Sequence, residues 1–176
     1  MKINTTRFGE IDVKDEKIIF MPVGLLGFEH IKRYILLNHS KEGPFMWFQA
    51  IDDPSLAFIL IDPLFFRPDY KIDISKEDIV EIGITDEKDV VILAIVTLRD
   101  DPQKMTANLQ GPIIINAKTR LAMQIVLAEG QYTTRHDIIE EMKIYPAQHH
   151  PEEKEIVQHI RHNPPTTSLI SQSIQK

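Results

Sequence analysis

The chain has 176 residues, 43% of them hydrophobic and 26% charged, with no cysteine and a formal net charge of −6. This length and composition suit one domain with a proper core and exclude wholesale disorder, and the lack of cysteine excludes disulfides, thiolate nucleophiles and cysteine-ligated metal centres and fits a reducing compartment. Residues 1–146 carry 17 basic against 23 acidic groups and hold the whole net charge, a balance that repels phosphate, argues against direct RNA or DNA binding and suits basic protein partners.

The opening MKINTTRFGEID has no apolar stretch of signal-peptide length, and no later run approaches the roughly 20 apolar residues of a membrane helix, so a soluble cytoplasmic protein is expected. Short apolar or alternating runs then predict strands at Lys2 to Phe8, Glu10 to Val13, Lys17 to Met21, Tyr34 to Asn38, Phe45 to Ile51 and Leu56 to Ile61. One helix is predicted in SKEDIVEIG, with Ser75 as cap, Asp78 three residues on and Gly83 as stop. Further strands follow at Val90 to Leu98, Thr106 to Leu109, Ile113 to Asn116 and Ala122 to Leu127. The last could be helical, but Ile125 and Val126 are β-branched and favour a strand. A second helical turn fits Thr134 to Lys143. Continuous runs such as YILL, LAFILI and VVILAIV point to strands covered on both faces or curled into a barrel. The expected fold is mainly β: a single antiparallel β-barrel-like domain over 1–146 with one or two short helices. Residues 147–176, rich in Pro, Ser, Thr and Gln, read as a polar, mobile C-terminal extension.

Catalytic and phosphate-binding signatures such as GxSxG, HExxH, GxxxxGK[ST] and GxGxxG are absent, so no catalytic residue is assigned. Asp52-Asp53 and Asp100-Asp101 stand beside prolines and read as turn initiators. The pairs His149-His150 and His159-x-x-His162 have nothing to hold them in one tetrahedral set, so no metal and no cofactor is expected. GLLGFE, with Gly24 and Gly27, lacks the Lys or Ser/Thr of a phosphate loop and reads as a tight turn that lets Phe28 plug the core. In DPLFFRPDY the adjacent Phe65 and Phe66 would face opposite ways in any extended stretch, so one ring can be exposed while the other packs, with packing of both as the alternative. Trp47 reads as core.

In order, FMPVGLLGFE (20–29), FMWFQAIDDPSLAF (45–58), IDPLFFRPDY (61–70), NLQGPIIIN (108–116) and MQIVL (123–127) resemble the flagellar assembly factor FliW family over residues 3 to about 135. Two departures are visible: Leu26 stands where the family's Gly-Leu-Pro-Gly-Phe has proline, and Gly111 where its Asn-Leu-x-Ala-Pro has alanine. The resemblance implies a cytoplasmic β-barrel-like protein that binds the carbon storage regulator CsrA, a small RNA-binding repressor of flagellin translation, and alternatively binds flagellin, so that export is coupled to translation. Candidate partner contacts are Phe65 or Phe66 as apolar anchor, Asp69 as charged contact, Tyr70 as amphipathic rim, and Asn108 and Gln124 as polar groups beside apolar surface. The competing reading is a flavin-binding split-barrel enzyme, although no cluster of Arg or Lys marks a phosphate-receiving loop.

Overall fold

The computed structural model describes residues 1–38, 44–128 and 130–145; the expected extension over 147–176 and its histidines lie outside the described residues. Strands β1 (Lys2–Thr5) and β2 (Gly9–Asp12) form a separate antiparallel hairpin. The main sheet contains β3 (Ile19–Phe20), β4 (Arg33–Asn38), β5 (Phe45–Ala50), β6 (Ala57–Ile61), β7 (Val90–Thr97), β8 (Thr106–Ala107), β9 (Ile113–Asn116), β10 (Ala122–Gln124) and β11 (His136–Asp137). Its path runs β10-β9-β7-β6-β5-β4-β3, with β8 on the far half of β7 and β11 on β8, and each ladder is antiparallel. The two edges touch where Phe20 and Leu121 form one parallel bridge, with the Phe20 N–H donating to the Arg120 carbonyl at 2.9 Å. The mainly β, antiparallel expectation holds, and the sheet curls until its edges meet at that single bridge rather than along a ladder.

Coverage of both faces explains the continuous apolar runs. One face carries Leu36, Met46, Phe48, Leu60, Leu93, Ile113 and Ile115 into a common cluster, where Tyr34 stacks on Phe48 with centroids 4.2 Å apart. The opposite face carries Ile35, Leu37, Trp47, Ile59, Ile61 and Val96, and the β1–β2 hairpin covers it with Ile3, Ile11 and Val13. Successive strand residues point to opposite faces, so a strand buried on both sides must be apolar at every position.

Local chemistry sets the element ends. The Ser75 Oγ accepts from the Asp78 N–H at 3.1 Å and opens α1 (Lys76–Glu81) as the sequence predicts. The second helix, α2 (Ile138–Ile144), starts later than Thr134 because Asp137 caps it, accepting from the Glu140 N–H at 2.9 Å. The strand expected from Lys17 to Met21 shrinks to two residues because Asp15–Lys17 forms a 3-10 turn. The predicted turn aspartates are structural. Asp53 accepts from the Ser55 N–H and hydroxyl. Asp52 accepts from the Lys32 and Arg33 N–H groups, both at 2.9 Å, and from Arg33 Nε at 2.7 Å.

Burial pushes the Asp52 carboxyl up, but those three donors outweigh it and hold the group below its ordinary value. A carboxyl depressed on folding stabilises the fold above the unfolded value, about pH 4, and that contribution is lost as pH falls through the folded value. Asp52→Asn should therefore flatten the acid limb of a denaturation-versus-pH series relative to wild type. Equal steepness in the two proteins would contradict this account.

Candidate functional site

Segment 62–70 is shaped by its prolines. Asp62 accepts from the Leu64 N–H at 2.9 Å and caps the 3-10 turn Pro63–Phe65, which sends the two phenylalanines different ways. Phe65 is 42% exposed and Phe66 is fully buried in the core, so one ring is out and the other in, as the prolines imply. Tyr70 is corrected from rim to core. Its ring packs on Tyr132 at 4.6 Å, and its hydroxyl donates to the Leu109 carbonyl at 2.8 Å, because a buried phenol needs an acceptor. Asp69 stays exposed but is engaged, accepting from Arg67 Nε at 2.6 Å.

Arg67, unnoticed in the sequence, organises this side of the molecule. Its Nη1 lies 3.3 Å from Glu141 Oε2 on α2, and its guanidinium sits over the rings of Tyr132 (5.8 Å) and Tyr145 (5.3 Å). Glu141 also meets His136 Nδ1, while His136 Nε2 accepts from the Thr133 N–H at 2.9 Å. These bonds fix the ring as the Nδ1–H tautomer and tie α2 to the segment that displays Phe65.

Asn108 and Gln124 do come together, around Gly111. The Gly111 N–H donates to Asn108 Oδ1 at 2.8 Å, and Gln124 Nε2 donates to the Gly111 carbonyl at 3.0 Å. Gln124 Oε1 accepts from the Leu26 N–H at 3.0 Å across 98 residues of sequence. Both side chains thus hold loops in place. The segments tied together by Gln124 carry exposed Val23, Leu26 and Val126. The Tyr70–Leu109 bond links this platform to segment 62–70.

The two departures noted in the sequence meet at this one glutamine. A proline at position 26 would have no N–H to give Gln124. A Cβ at position 111 would stand 3.0 Å from Asn108 Nδ2 and 3.1 Å from Gln124 Nε2. Leu26→Pro and Gly111→Ala should therefore couple: each disturbs the same side chain, so their costs in chemical denaturation should fall short of additivity by about 0.5 kcal/mol or more. Strict additivity would show that Gln124 does not connect them.

Among the described residues no group of three or more His, Asp or Glu is placed to hold a metal ion, and no helix is long and apolar enough to cross a membrane.

The family model described as "FliW protein" matches residues 2–138. The chain belongs to the FliW family. It is 46% identical over 142 residues to the flagellar assembly factor FliW of Treponema denticola, covering 81% of this chain and 96% of that protein. The namesake proteins of Syntrophus aciditrophicus and Geobacter sulfurreducens are 42% and 43% identical, each over 88% of their length and over 79% and 80% of this chain. A crystal structure of the flagellar assembly factor FliW superposes with a TM-score of 0.74 at 36% identity, covering 78% of this chain and 96% of that one. The FliW resemblance seen in the sequence is thus established, and the flavin-enzyme alternative is not favoured. The FliW match ends before residue 147.

Proposed function

We propose that this FliW-family chain is a non-catalytic cytoplasmic protein that binds CsrA and flagellin as alternative partners, relieving CsrA repression of flagellin mRNA and coupling flagellin export to translation. The observation that carries the reading is a family fold whose relatives are named flagellar assembly factors, combined with a body that holds a net charge of −6. An acidic surface attracts a basic RNA-binding regulator while repelling RNA itself. Phe65, exposed on a turn fixed by Pro63 and backed by the Arg67–Glu141 pair, is a rigid apolar anchor, and Asp69 beside it supplies charge for steering.

Calorimetric titration of CsrA and of flagellin, each alone and then in competition, tests the scheme. Each should bind, each should displace the other, and labelled RNA should not bind. Asp69→Asn should mainly slow association and reduce its salt dependence, because the amide keeps an acceptor for Arg67 while losing the charge. Saturable RNA binding, or no heat with either protein, would remove the reading.

A further inference from the structure

Thr133 is tied to the rest of the fold through both of its backbone groups. Its N–H donates to His136 Nε2 at 2.9 Å, and its carbonyl accepts from the Leu109 and Gln110 N–H groups at 3.1 and 3.2 Å. Each of those residues carries the connection further. The Leu109 carbonyl receives the buried Tyr70 hydroxyl, and the Gln110 carbonyl accepts from the Leu127 N–H at 2.8 Å. The imidazole therefore heads a hydrogen-bonded path into the 62–70 segment and into the stretch that follows Gln124. Thr133, Thr134 and Arg135 are themselves exposed, so water can replace a bond lost there.

The two ring nitrogens have unlike tasks. Nδ1–H donates to Glu141, whereas Nε2 must be unprotonated to accept from Thr133. An imidazolium has two donors and no acceptor. A proton arriving at Nε2 ends the Thr133 bond and sets two N–H groups against each other, while the contact with Glu141 gains charge. The groups around the ring favour that division. Glu141 on α2 is the carboxylate in contact, with Arg67 of the 62–70 segment on its other oxygen and Asp69 on Arg67. Asp137 is occupied in capping α2, Glu140 pairs with Lys143 in solvent, and Arg135 is exposed. On β8 the ring's strand faces uncharged Thr106 and Ala107, and Tyr132 presents its ring at 6.1 Å.

We infer that His136 is a proton-operated latch. Neutral, it closes the 133–135 turn onto the fold; charged, it releases Thr133 while α2 stays docked through Glu141 and Arg67. The loosening reaches Leu109 and Gln110 first and then, through the Tyr70 hydroxyl, the segment that displays Phe65. Imidazole is the side chain whose charge ordinarily changes within about pH 5–8, which suits it to this use.

Nuclear magnetic resonance on the full chain, from about pH 8 to about pH 5, tests the latch. The Thr133, Leu109 and Gln110 amide signals should move with the same midpoint as the His136 ring. The protection of the Thr133 amide against hydrogen exchange should fall about tenfold across that midpoint, while the Arg67 Nε–H signal stays protected. His136→Gln places a non-titrating oxygen where Nε2 accepts, so its Thr133 amide should stay protected at every pH. His136→Asn keeps a donor for Glu141 and offers Thr133 nothing, so its amide should exchange fast at every pH. The inference is overturned if the ring titrates without moving Thr133, if the three amides still move together in His136→Gln, if Arg67 loses protection at the same midpoint, or if the ring takes up no proton across the range. Should neither variant fold, the wild-type titration alone decides between these outcomes.

Discussion

Replacing Gly24 with alanine is expected to lower stability by on the order of 3 kcal/mol, read as a lower denaturant midpoint at unchanged slope. Gly24 has φ +84°, and a Cβ there would lie 2.8 Å from both Cα and the carbonyl oxygen of Glu29. Those are backbone atoms and cannot rotate away, so the loop would have to open. Opening it also loosens the Leu26 N–H that Gln124 holds, so the platform and the core should suffer together. Gly9→Ala is the control. Its φ is +63° and a methyl added there would meet nothing within 4 Å, so only the backbone preference is lost, about 1 kcal/mol. Equal costs at the two positions would show that the approach of Glu29 is not the cause.

Phe66→Ala should cost about 3–5 kcal/mol of stability, whereas Phe65→Ala, one residue away, should cost about 1 kcal/mol or less. Phe66 is fully buried among the residues that back the hairpin, and its removal leaves a cavity that the surrounding strands cannot collapse. Phe65 is exposed, so under the proposed function its truncation should instead speed partner dissociation, costing on the order of 2 kcal/mol of binding if it is a central anchor. Denaturation of both variants alongside calorimetry checks the division. A Phe65→Ala protein that is unstable yet binds normally would reverse the assignment.

The strands are legible because burial on both faces writes itself into the sequence as unbroken apolar runs, and β4, β5, β6, β7 and β9 fall where those runs stand. β11 is not, because His136–Asp137 is two polar residues held by pairing with Ala107 and Thr106 across the fold, with no periodicity of its own. The exposed phenylalanine can be anticipated from flanking prolines, which are local signals. The burial of Tyr70 cannot, since its acceptor is a carbonyl 39 residues away. For the same reason Arg67, Glu141 and His136 give no sequence signal: their meeting is made by the docking of α2 on the 62–70 segment. Gln124 stands out in the sequence as a polar group beside apolar surface, but its role as a clamp depends on Leu26 and Gly111, which no spacing rule connects.

The meeting of the sheet edges at Phe20 and Leu121 bears on how the chain is made. Strands β3 to β6 are successive neighbours and can zip up as they emerge from the ribosome, since each pairs with the one just synthesised. The wall that closes over Tyr34, Phe48 and Leu60 comes from β7, β9 and β10, so closure is complete only when residue 124 has been delivered. Until then an unfinished nascent sheet holds an oily face open to water, the kind of surface that chaperones capture and that self-associates when translation stalls. The N-terminal half is therefore poorly suited to life as an independent fragment, and a ribosome pausing between β6 and β9 is the point at which this small protein is most vulnerable.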